Sequence, residues 1–224
     1  VMQPLTGSSE LLLMLLADAR LPTAGHTQSA GLEPAVRDGL TDVPGYFRTR
    51  LTSVTRVEAA TAVVALHHLR QDRPLSPVEA AWAARTPSSA MRRTSRAQGK
   101  ALLRLVHRIW PDAAATATVS DLAAPGRALV LAGIAASTGL SPASLARIVA
   151  YDDVQTVASA ALKLLPLDPA DVACWVHDVL PLAEALAADV AGLTEPSSIP
   201  AAGAPQLEAW AEAHAHTTRR LFSA

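Results

Sequence analysis

Three times along this chain a serine or aspartate able to cap a helix is followed at once by proline: Ser76-Pro77, Ser141-Pro142 and Asp168-Pro169. A capping side chain accepts a bond from the free N–H groups of a helix's first turn. Proline in that turn loses nothing, because its missing N–H would have had no partner. Each pair therefore predicts a helix start. Ser76-Pro77-Val78-Glu79 has the spacing of a capping box, and Asp171 places a favourable negative charge in the first turn after Asp168. The segments that follow are rich in alanine and leucine, both strong helix formers. Val and Ile lie within those runs instead of alternating with polar residues, so no strand is predicted.

Ser8 or Ser9 with Glu10 opens a first helix through Asp18. Further helices are predicted at about 44–71, 77–86, 90–110, 125–138, 142–165, 169–191 and 205–221. Pro181 is expected to kink or split the 169–191 helix, and Pro34 either begins a helix or bends one. No repeat of 20–50 residues is visible. The fold class is all-α: a single-domain bundle of roughly eight to ten helices.

Thr194 to Pro205 holds three prolines with Ser197, Ser198 and Gly203, which predicts an extended, mobile linker. The organisation is then a helical domain over 1–193, a linker over 194–205 and a C-terminal helix within 206–224. Leu207, Trp210, His214 and Leu221 fall on one face of that helix. So short a helix is marginal alone in water, so it docks either on its own domain or on a partner protein.

Half of the 224 residues are hydrophobic and only 17% are charged, against roughly 25% in an average soluble chain. A large core is expected, with some apolar surface covered by a partner or a second copy. A net charge of −1 gives no reason to expect nucleic acid. The lone Cys174 excludes an internal disulfide and fits a reducing compartment. Leu11 to Ala17 is apolar but has no basic residue before it, so no secretory signal is expected. The uncharged span 128–146 is broken by Gly139, Ser141 and Pro142, which argues against a membrane span. The cytoplasm is the expected location.

Leu21 to Glu33, LPTAGHTQSAGLE, is too irregular for a core helix. Pro22 fixes a backbone angle, while Gly25 and Gly31 allow positive φ or close approach. A shaped, partner-facing segment is expected, with Glu33 as its only carboxylate. In the 85–108 stretch, Arg92, Arg96, Lys100, Arg104 and Arg108 recur every four residues with no acid between Glu79 and Asp112. They form either a solvated face or a docking face for an acidic partner. Ser95 and Gly99 lie on the opposite, apolar side with Leu102, Leu103, Val106, Ile109 and Trp110. A glycine there predicts close approach of another helix.

No catalytic constellation is found. Thr27 to Gly31 lacks the first glycine of a nucleophile elbow, and Gly99-Lys100 lacks the rest of a phosphate loop. Adjacent Asp152 and Asp153 point about 100° apart on a helix and read as capping or solvated groups. Cys174 and His177 share a face without a third ligand, so a buried cysteine beside a surface histidine is expected, with no metal and no cofactor.

The 21–33 stretch resembles the signature of the UreF family, close to LPxGGFxxSxGLE. Leu21, Pro22, Gly25, Ser29, Gly31, Leu32 and Glu33 match, with Ala24 and His26 in place of glycine and phenylalanine. Arg92 or Arg93, Ser95, Gly99, Leu102, Leu103, Arg104 and Leu105 fill a second family pattern. Leu165-Pro166-Leu167 is a third, where Asp168-Pro169 replaces the family's Gly-Gln. His214 with Arg220-Leu221-Phe222-Ser223 resembles the family's ending, with Ala215 for its glutamate. The resemblance implies an all-helical, dimeric, non-enzymatic accessory protein. Such proteins join UreD (also called UreH) and the GTPase UreG, and the complex assembles the nickel centre of the urease apoprotein. The partner-binding residues it suggests are Pro22, Gly25, Ser29, Gly31, Glu33, Arg93, Arg96, His214, Arg220, Leu221 and Phe222, with the C-terminal helix docking into UreD. The alternative is a helical transcriptional regulator of TetR size. The net acidity of residues 1–50 disfavours it.

Overall fold

A computed structural model describes residues 9–18, 20–22, 27–218 and 220–222. Among them the chain is all-α, as expected. Its elements are α1 (Ser9–Leu16), α2 (Leu32–Arg37), α3 (Val43–Thr52), α4 (Val54–Arg70), α5 (Ser76–Arg85), α6 (Ser89–Ile109), α7 (Ala114–Ser120), α8 (Arg127–Thr138), α9 (Pro142–Leu164), α10 (Pro169–Val190) and α11 (Pro205–Ala215).

The centre is α4 packed on α8 and α9. A helix apolar on every side is stable only when surrounded, and α8 is buried from Ala128 through Ala135. Small residues on α4, Ala59, Ala60, Ala62 and Ala65, are all fully enclosed and let its neighbours come close. Around this centre, α6 and α7 cover α8, α10 covers α9, and α3 lies against both α10 and α4.

Ser141 and Asp168 cap their helices, accepting from Ser144 N (3.0 Å) and Ala170 N (2.8 Å). The capping box at Ser76 does not form: Leu75 is the cap residue and makes no side-chain bond, and Glu79 turns instead toward Arg96. The expected helix over 44–71 is divided at Ser53. There Thr49, Thr52 and Ser53 each donate a hydroxyl to a carbonyl one turn back, at 3.0, 2.8 and 2.5 Å. Such bonds compete with helical pairing. α2 begins before Pro34, which falls in its first turn, where no donor is missed. α10 runs through Pro181 without splitting.

The 194–205 segment, expected as a linker, makes contacts with the helical domain. Ile199 is buried, Arg85 donates to the carbonyls of Ile199 and Ser197, and Arg73 pairs with Glu195. α11 ends at Ala215, six residues short of its expected end, and packs on α6 and α2 of its own chain. Leu207 and His214 are buried beneath it. Among the described residues no helix is long and apolar enough to cross a membrane.

Candidate functional site

The turn before α2 is built by two consecutive residues with positive φ, Ala30 (51°) and Gly31 (79°). A Cβ on Gly31 would lie 2.9 Å from the Tyr46 hydroxyl, so both backbone angle and space call for glycine. The Ala30 carbonyl accepts from Tyr46 Oη (2.8 Å) and Arg50 Nη1 (2.7 Å), which ties the turn to α3. Ser29, fully buried, accepts from the Glu33 backbone N–H (3.3 Å). Pro22 is exposed, and Gly25 lies outside the described residues.

Glu33 is the centre of the site. It is only 2% exposed, whereas the sequence suggested a surface carboxylate. Its oxygens accept from the backbone N–H groups of Leu221 (2.8 Å) and Phe222 (2.9 Å), nearly the whole chain away. Arg37 pairs with it at 2.6 Å from the next turn of α2. Buried His214 brings Nε2 to 3.7 Å from Glu33 and 3.3 Å from the Phe222 carbonyl. Phe222 is buried, with the Lys163 ammonium 5.2 Å from its ring centre, while Leu221 is 64% exposed. A carboxylate is an acceptor with room for several donors, and a buried one must find them. Glu33 finds them in the returning tail. The turn at 27–33 and the ending His214, Arg220, Leu221, Phe222 are therefore one site. Of the two apolar residues expected to meet a partner, Phe222 is spent inside this chain and Leu221 is presented.

Behind this clamp is a cavity of about 540 Å³ bordered by the turn, α6, α9 and α11. Its wall holds charges that sequence reasoning missed. Arg50 forks onto Asp153 (2.9 and 2.6 Å), which also accepts from Thr55. Arg127 pairs with Asp152 at 2.9 Å, and Glu58 accepts from the Trp82 indole at 2.6 Å. The paired aspartates are thus held by arginines and neither cap nor solvate. Burial pushes the Glu58 and Asp152 carboxyls up, against the pull of Trp82 and Arg127 on the first and of Arg127 on the second. Burial also pushes the Tyr46 hydroxyl up to about 12. Arg50 and Asp153 stand 103 residues apart, so no local sequence pattern announces this pairing.

On α6, the serine and glycine of the second motif meet the start of α8. Ser95 Oγ accepts from Arg127 N (3.1 Å), and a Cβ on Gly99 would run into the Pro125 carbonyl. Glu212 of α11 ties the other end of α6, accepting from Ala90 N (2.9 Å) and Ser88 Oγ (2.8 Å). Those bonds, the Ala90 N–H foremost, hold its carboxyl down at about 2. Arg96 is engaged within the chain, 5.8 Å over the Trp82 ring and 3.5 Å from Glu79. Arg93 is exposed and touches the Ser89 hydroxyl. Cys174 is exposed beside exposed His177, which corrects the expectation of a buried thiol. A residue one position from a helix's buried stripe can turn out. Among the described residues no three His, Cys, Asp or Glu side chains are grouped to hold a metal.

Residues 39–180 match the family model for UreF. The chain is similar along nearly its whole length to proteins named urease accessory protein UreF. It is 38% identical to that of Mycolicibacterium vanbaalenii (96% of this chain, 99% of the relative). It is 36% identical to that of Mycobacterium marinum (95% and 97%) and 35% identical to that of a Mycobacterium species, strain JLS (94% and 97%).

Proposed function

This chain belongs to the UreF family of urease accessory proteins, and from that premise we propose that it works without chemistry of its own, as a shaped bridge between UreD (UreH) and the GTPase UreG. In this reading it regulates GTP-dependent delivery of nickel to the urease apoprotein in the cytoplasm. The observation that supports it is the Glu33 clamp. A buried carboxylate holds the two ends of the chain together and leaves Leu221 and Arg220 exposed at the edge of a polar cavity. An exposed leucine on a fixed backbone offers a protein partner apolar area to bury, and UreD is the partner we assign to it. A homodimer would use another face. α1 exposes Leu11 (66%) and Met14 (69%) beside an apolar groove of about 790 Å³ shared with α9 and α10. The reading as a transcriptional regulator has no support among the relatives.

The test is urease activation in cells that carry the remaining urease genes. Glu33→Ala frees the tail and is expected to lower activation several-fold while the helical circular dichroism stays. Deleting residues 216–224 is expected to do the same. Full activation by both variants would remove the clamp from the function.

A further inference from the structure

One exposed stripe of α6 carries cations that form no salt bridge among the described residues. Arg93, Ala97, Lys100, Arg104, His107 and Arg108 are all exposed. At about 100° per residue they fall within roughly 100° of the helix circumference, along about 22 Å of its length. Four of the six are permanent cations. None of those four lies in a salt bridge among the described residues, where Arg96 of the same helix does. Arg93 contacts a neutral hydroxyl, although Glu212 feels its charge. Arg92 is different again: it folds back on the carbonyls of Thr86 and Pro87. The emptiness of the stripe is therefore a property of these positions and not of α6 in general.

Cations four and seven residues apart, as Arg93, Lys100, Arg104 and Arg108 are in succession, repel one another along a helix. A negative row of the same pitch would reverse the sign of every one of these terms. The stripe is narrow and straight, and it holds no Phe, Tyr or Trp for stacking bases. Packed on α6 lies α11, which carries Glu208 and Glu212. Those two carboxylates disfavour a broad polyanion such as duplex nucleic acid and leave room for a narrow one. We propose that this stripe docks a carboxylate-rich helix of a partner protein. The inference goes beyond the UreF reading and does not depend on it: a failure to assemble with UreD or UreG would sink that reading alone.

The probe is a synthetic alanine-based helical peptide with glutamates at i, i+4, i+7 and i+11, titrated against the full chain by fluorescence anisotropy. Saturable binding is expected, weakened at least about tenfold by the triple reversal R93E/K100E/R104E and retained in R93K/R104K. A surface contact of this kind is also screened as salt rises above about 0.1 M. Carbodiimide coupling on the unaltered chain should join the peptide to Lys100 and not to Lys163, the only other lysine. The proposal is overturned by absence of saturable binding, by coupling at Lys163, by equal binding of a peptide with the same glutamates in scrambled order, or by tighter binding of a DNA or RNA oligomer.

Discussion

At the scale of single residues, Glu33 and Gly99 carry the most specific consequences. Replacing Glu33 with alanine strands two backbone N–H groups at the tail and removes the carboxylate's contacts with Arg37 and His214. Each buried donor left without a partner costs about 1–3 kcal/mol. Residues 220–222 are thus expected to lose amide protection by hydrogen exchange, while α4 and α8 keep theirs. Protection that persists at Leu221 and Phe222 would show that the carboxylate is not the tie. Gly99→Ala pushes a methyl group into a backbone carbonyl that cannot swing away. A loss of about 1–3 kcal/mol is expected, read as a fall in the urea midpoint. An unchanged midpoint would mean that α6 and α8 slide apart freely. The glycine's purpose was legible in the sequence, because a glycine on the apolar side of a helix announces close approach. What approaches, the Pro125 carbonyl, was not. Glu33 was legible as a lone carboxylate, but its burial depends on donors nearly two hundred residues away, and no local pattern carries that.

At the scale of elements, the starts of α9 and α10 followed from their capping residues, since a cap acts within four residues. The break at Ser53 and the existence of α7 did not. The break depends on hydroxyls competing with backbone bonds in a segment whose composition favours helix, and α7 is short and has no side-chain cap to mark its start. α11 was legible as a helix but not as to where it docks. Its Glu212 tie to α6 gives it a pH dependence whose sign follows from the depressed carboxyl. In the unfolded chain the group titrates near its ordinary 4.5, and in the folded chain at about 2. Its stabilising contribution is complete above 4.5 and is lost as pH falls from there toward 2. Amide exchange within α11, corrected for intrinsic rates, should therefore speed up relative to α8 over that interval. In Glu212→Gln this pH-dependent part should vanish. If α11 and α8 keep a constant ratio across the interval in the unaltered chain, Glu212 does not hold the two helices together.

At the scale of the whole molecule, an apolar centre of α4, α8 and α9 supports a periphery that carries the Glu33 clamp and the exposed cations of α6. The all-α class followed from composition and punctuation, because alanine- and leucine-rich runs have one way to bury themselves. The polar cavity and its arginine–aspartate pairs were not legible, since they join residues from α3, α8 and α9 that only the packing brings together. The central claim is that the clamped tail is a surface offered to another protein. The most direct test is the dissociation constant of the purified chain for purified UreD, compared with that of Leu221→Asp. Leu221 is exposed and bonded through its backbone, so the substitution leaves the clamp in place. The account predicts at least a tenfold weaker complex, about 1.4 kcal/mol, with the thermal midpoint of the free chain unchanged. Equal affinity for the two forms would contradict it.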